Sequence, residues 1–148
     1  MQVGEIMTTD VVTVSMDHTL REVSEIFELE GFHHVVVVEN DHVLGVVSDR
    51  DVLKTVSPFI GKLAERATDL NSLERPVHQW MTRDVMSVDP DESAAWAARM
   101  MLRRGVSCLP VIQDDKLVGI VTLRDVAFTA IELLEAAADD ENALGEAA

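Results

Sequence analysis

The 148-residue chain carries 27 Asp and Glu against 12 Lys and Arg, a formal charge of −15. That excess argues against binding polymeric DNA or RNA, which rests on cations neutralising phosphates. The length is about that of one ordinary domain, leaving no room for a separate catalytic domain, and the single cysteine, Cys108, excludes an internal disulfide framework.

A lone cysteine fits a reducing compartment, and its expected role is that of a small buried apolar residue. The opening MQVGEIMTTD has no basic segment followed by an apolar run. Nowhere do about 18 uninterrupted apolar residues occur. A soluble, cytoplasmic protein without membrane contact is therefore expected.

In chain order, Thr19-Leu20-Arg21-Glu22 has the form of a capping box. Leu20, Val23, Ile26 and Phe27 follow at helical spacing, and Gly31 suits the helix end. Val35 to Val38, the turn Glu39-Asn40-Asp41 and Val43 to Val47 predict a hairpin. A second helix is predicted to open at Ser48. Residues 57–76 hold Pro58, Gly61 and Pro76 in a mixed polar stretch, which predicts a connector with at most a partial helix. Then the plan returns: a helix over Ser93 to Arg104, Gly105, a strand over Leu109 to Ile112, a turn at Asp114-Asp115 and a strand over Leu117 to Val121. A closing helix is expected from about Thr122 through Leu134. The acidic, Ala-rich end, 136–148, reads as a frayed helix end or solvated tail.

The chain is in fact written twice. Residues 3 to 53 lie over 77 to 127 without a gap, and 15 of the 51 paired positions are identical. A unit of this size is too small to bury its apolar face alone and is expected to pack against its copy. The resulting division is a first repeat over 1–56, the connector over 57–76, a second repeat with its closing helix over 77–135, and the tail. The face Ala94, Ala97, Met100 and Met101 matches Leu20, Val23, Ile26 and Phe27, so it is expected to be core. Trp80 replaces Ile6 and is expected to be buried. Trp96 replaces the capping-box Glu22 near the exposed side of a helix start, where a large aromatic suits an association surface.

Chemistry concentrates in GVVSDRD and GIVTLRD. Ser/Thr-x-x-Asp at a helix start is first of all a variant capping box, which any helix can use to satisfy its free N–H groups. The same geometry also suits a ligand. The hydroxyls of Ser48 and Thr122, with the first helical N–H groups, can face a phosphate. The carboxylates of Asp51 and Asp125 can accept hydrogen bonds from ribose hydroxyls, and Arg50 and Arg124 offer a phosphate partner.

As a whole the repeat resembles the cystathionine-β-synthase (CBS) domain, and the tandem resembles a CBS pair. The opening segments IMTTDVVTV and WMTRDVMSV, the strands VVVV and LPVI, and the closing Gly-x-x-Ser/Thr-x-x-Asp carry the likeness over about 100 residues. The resemblance implies an α/β (α+β) fold of tandem CBS repeats, each a small sheet packed on two helices, related by a pseudo-twofold. It also implies adenosine-containing ligands (AMP, ADP, ATP, in some members S-adenosylmethionine) in clefts between the repeats, and association as a homodimer.

Carried over by position, Thr13, Ser87, Val35 and Leu109 would line the adenine with backbone groups and apolar side chains. His33 and His34 stand where members present a basic residue to phosphate, and a charged imidazole below about pH 6.5 would favour anions there. Ser107-Cys108 brings no cation to the second copy. Asp49 adds a carboxylate to the first, where the second has Leu123. The two histidines are poorly placed to chelate one ion, since neighbours along a strand point to opposite faces. No Cys or His cluster at zinc spacing accompanies them, so no resident metal is expected, although Mg can arrive with a nucleotide. No pair of residues reads as nucleophile and base, so no enzyme activity and no obligatory cofactor are expected. The leading expectation is a sensor of adenine nucleotides that passes occupancy to a separate protein. The alternative is a ligand-independent structural or dimerisation module whose caps serve only the helices.

Overall fold

The computed structural model describes residues 1–63 and 66–146, with backbone alone for 140–146. It is a mixed α/β protein: β1 (Thr13–Val14), α1 (Leu20–Glu30), β2 (His34–Glu39), β3 (His42–Ser48), α2 (Asp49–Thr55), α3 (Ala67–Leu70), α4 (Ala94–Arg104), β4 (Cys108–Gln113), β5 (Lys116–Thr122) and α5 (Leu123–Glu146).

Local signals set these boundaries. Thr19 caps α1 in a reciprocal box, its backbone N–H reaching Glu22 Oε2 at 2.7 Å. Gly31 and Gly105 end α1 and α4 at φ 71° and 67°, a region where the missing Cβ removes the steric cost. Both hairpins turn on two residues with positive φ, Asn40-Asp41 (50° and 66°) and Asp114-Asp115 (50° and 61°). Left-handed backbone at both central positions is the geometry whose twist matches paired strands.

The described residues gather into two units, and their membership crosses the sequence repeats. One unit comprises 10–86 with 114–117, the other 1–9 with 87–113 and 118–148. In the first, β1 pairs parallel with β2 and β2 antiparallel with β3. The opening segment of the second repeat belongs here. Val77 N–H donates to the His18 carbonyl at 2.7 Å, and Thr82 exchanges backbone bonds with Val46 at 3.0 and 3.1 Å. Val14, Val23, Val35, Val37, Val47, Val77 and Met81 form its core, with Phe27 packed edge-on against Phe32.

The other unit is built the same way from the opposite opening segment. Val3 N–H donates to the Glu92 carbonyl at 2.8 Å, and Thr8 exchanges bonds with Ile120, both at 2.9 Å. Ala94, Ala97 and Met101 are buried as expected, as is Cys108. Its sheet holds two strands, β4 and β5, where the first unit has three. The cause is Pro110. Its counterpart Val36 donates its N–H to the Val12 carbonyl, a bond proline cannot make, so the approaching segment is reduced to one bridge at Val88 and Val111.

Trp80 is half-buried, its indole N–H donating to the Arg75 carbonyl at 3.2 Å. Trp96 is 39% exposed. The connector contains α3, held by Asp69, which accepts from the Ser57 hydroxyl at 2.6 Å and the Arg66 N–H at 2.8 Å. The closing helix continues to Glu146; Ala147 and Ala148 of the expected tail lie outside the described residues.

Candidate functional site

Each candidate constellation lies wholly within one unit, at the junction where the second strand of a hairpin runs into a helix. In the first, Ser48 is the last residue of β3 and the N-cap of α2. Its N–H and its hydroxyl donate to Asp51 Oδ2 at 2.9 and 2.8 Å, and Asp51 N–H returns a bond to the hydroxyl at 3.3 Å. The second junction repeats this with Thr122 and Asp125: 2.7, 2.7 and 3.2 Å. Both bonds to each carboxylate converge on Oδ2, so the cap leaves Oδ1 uncommitted. Both aspartates are half-buried. The arrangement holds a carboxylate in fixed orientation, with one acceptor oxygen that a ligand hydroxyl could use.

Strand register decides which expected residues share the face of this carboxylate. His34 pairs directly with Ser48, and Val36 pairs with both Val46 and Thr13. Directly paired side chains lie on one side of a sheet, so Thr13, His34 and Ser48 share a face. Val35 pairs with Val47 on the opposite face and is fully buried in the core. Its side chain therefore serves the core, and what it can offer the expected adenine is its backbone. Leu109 is likewise buried, at 1% exposure. Ser87 is exposed immediately before the Val88 bridge.

The two histidines, expected to present a basic group to phosphate, have different surroundings. His33 is exposed and holds Asp49, Nδ1 to Oδ2 2.9 Å. The Asp49 N–H also donates to the His33 carbonyl at 3.1 Å. Burial pushes the His34 imidazole below its ordinary pKa, with the Asp49 carboxylate opposing that shift only in part. His34 thus resists becoming a cation where the sequence suggested one. The backbone bond recurs in the second junction, where Leu123 N–H donates to the Ser107 carbonyl at 3.0 Å.

Arg50 and Arg124 are exposed beside their aspartates, and the Arg124 guanidinium lies over the Phe128 ring at 5.5 Å. Sequence reasoning missed this stacking and the pairing of Asp49 with His33. The first was detectable as an i,i+4 Arg–Phe pair; the second required knowledge of the strand–helix junction. Nor did it show what approaches Gly45 and Gly119. A Cβ on Gly45 would lie 2.7 Å from the Thr82 carbonyl oxygen, and one on Gly119 would lie 2.6 Å from Met7 Sδ and 3.0 Å from the Thr8 carbonyl oxygen. These glycines admit the opening segments. The repeated Met-Thr dipeptide was the available signal.

Among the described residues no cluster of three or more His, Cys, Asp or Glu could hold a metal ion, and no helix is long and apolar enough to cross a membrane.

The CBS domain family model matches residues 3–58 and 77–132. A CBS domain-containing protein of Bacillus subtilis, YhcV, is 30% identical over 126 residues, covering 84% of this chain and 82% of that protein. The crystal structure of AcuB from Vibrio cholerae superposes with a TM-score of 0.77 at 32% identity, covering 94% of this chain and 96% of that one. CBSX2, solved in complex with AMP, superposes with a TM-score of 0.73 at 25% identity, covering 89% and 97%. Other curated relatives are longer: the chain spans 44% and 60% of the length of two archaeal ones, and under a quarter of those named for an enzyme activity.

Proposed function

This chain belongs to the CBS domain family, and from that premise we propose that it is a regulatory module that binds adenosine-containing ligands at its two strand–helix junctions. The observation that carries this reading is the duplicated carboxylate. Asp51 and Asp125 stand in the same bonding pattern, each oriented through Oδ2 with Oδ1 left by the cap, although the two repeats have diverged at most other positions. Ribose would be held by these carboxylates, with Ser48, Thr122 and the neighbouring arginines toward a 5′-phosphate. The AMP bound to CBSX2 supports the choice of ligand class. AMP, ADP and ATP are the candidate ligands, with Mg carried by the nucleotide. Occupancy would be passed to a separate protein or a further part of a longer chain, from a cytoplasmic homodimer.

One observation favours a second reading. Each Ser/Thr–Asp pair is already satisfied as a capping box, which is all a ligand-independent dimerisation module would need. Isothermal titration with AMP, ADP, ATP and S-adenosylmethionine, with and without Mg, separates the two. The expected outcome is saturable heat from the wild type that disappears in the Asp51→Ala/Asp125→Ala variant, while that variant stays folded and loses only the roughly 0.5–2 kcal/mol of each cap. Absence of heat from every ligand selects the ligand-independent module.

A further inference from the structure

Resting on the adenosine-ligand reading, we propose that the two junctions differ in the charge they favour: Thr122/Asp125 binds the phosphate-bearing nucleotide more tightly than the nucleoside, and Ser48/Asp51 binds the uncharged nucleoside at least as tightly as the nucleotide. The caps of the two junctions are alike to within about 0.2 Å in every bond. What differs is the charge fixed around them.

At the first junction the opening residue of α2 is Asp49. Its side chain is tied to His33 Nδ1 at 2.9 Å and its backbone to the His33 carbonyl at 3.1 Å, so the carboxylate cannot swing away from the junction without breaking that hydrogen bond. It is the largest charge acting on His34, the residue paired with Ser48. Both the Asp49 and the Asp51 carboxylates act on His34, and burial nonetheless holds its half-buried imidazole below the ordinary histidine pKa. An incoming phosphate would meet two carboxylates there. Arg50 offers a cation, but the position one turn on, which could brace it, is Lys54, a second cation.

At the second junction the corresponding residues are Leu123 and Ser107, neither charged. The place of Lys54 is taken by Phe128, and Arg124 lies on its ring at 5.5 Å. Stacking restrains a guanidinium while leaving its in-plane N–H donors free. A braced cation beside one carboxylate suits a phosphate dianion. An additional carboxylate about 6 Å from a dianion weakens binding about tenfold. The same carboxylate leaves a neutral ligand nearly unaffected.

Titration of adenosine and AMP into single variants tests this, since the two differ only by the phosphate. Asp51→Ala leaves the Thr122/Asp125 junction, which is expected to prefer AMP by about tenfold or more. Asp125→Ala leaves the Ser48/Asp51 junction, where adenosine is expected to bind at least as tightly as AMP. Adding Asp49→Leu to that second protein should raise AMP affinity about tenfold without moving adenosine. Asp49→Asn, which keeps a hydrogen bond to His33, is expected to act in the same direction and serves if the leucine variant fails to fold. An equal AMP-to-adenosine ratio at the two junctions, or a ratio unmoved by either substitution, overturns the inference and leaves the adenosine reading standing. Failure of both ligands to bind the wild type removes both.

Discussion

At Gly45 an added Cβ would meet the Thr82 carbonyl oxygen at 2.7 Å, a backbone atom that accepts the Val46 N–H in a residue paired both ways with Val46. At Gly119 the nearest atom, at 2.6 Å, is the Met7 sulfur, the mobile part of a flexible side chain. Overpacking costs most where the neighbour cannot move. Gly45→Ala is therefore expected to destabilise by about 2 kcal/mol and Gly119→Ala by about 1 kcal/mol or less. Urea denaturation of the two variants checks the order; equal costs would mean that backbone approach is not what singles out Gly45. The same scale shows why Val35 and His34, adjacent in sequence, have different roles. Strand alternation turns one to the core and the other to the face of Ser48. Alternation was legible in the sequence, but its phase was not, because four consecutive valines fit either face.

The elements themselves were largely written in local signals. Capping pairs three residues apart, a glycine after each long helix of the repeat, and Asn-Asp or Asp-Asp between apolar runs act over one turn of chain, and each appears where expected. The turns are not optimal. Asp115 holds φ 61°, where a side chain costs energy that glycine avoids. Asp115→Gly is expected to raise stability by about 0.5 kcal/mol, read as a higher urea midpoint with unchanged slope; a lower midpoint would show that the aspartate side chain contributes more than its backbone strain costs. The closing helix was read only as far as its apolar spacing ran, through Leu134. It continues to Glu146 because Ala and Glu favour helix whether or not a face is buried. Pro110 in β4 shows the reverse: a residue compatible with a strand in isolation removed the donor that a third strand needed.

On the scale of the whole molecule, the sequence repeats and the structural units do not coincide. Val77–Thr82 completes the unit containing β1 to β3, and Val3–Thr8 completes the one containing β4 and β5. A polypeptide cut to residues 1–58, one full repeat by sequence, lacks the segment that contributes Val77 and Met81 to the core and pairs with Val46. It is expected to show no cooperative unfolding transition, whereas residues 10–86, which keep that segment, are expected to be the more structured fragment. Circular dichroism with urea titration of both fragments decides this, and a stable 1–58 would overturn it. The sequence by itself determined the duplication, the helix starts and stops, the hairpins and the paired Ser/Thr–Asp motif, because all of these rest on neighbours within a few residues or on direct comparison of the two copies. Only the tertiary structure decided which opening segment completes which unit, that Val35 and Leu109 belong to the core, and that Asp49 is locked to His33. Those outcomes depend on strand phase and on contacts between residues distant in the chain, which composition and spacing leave open.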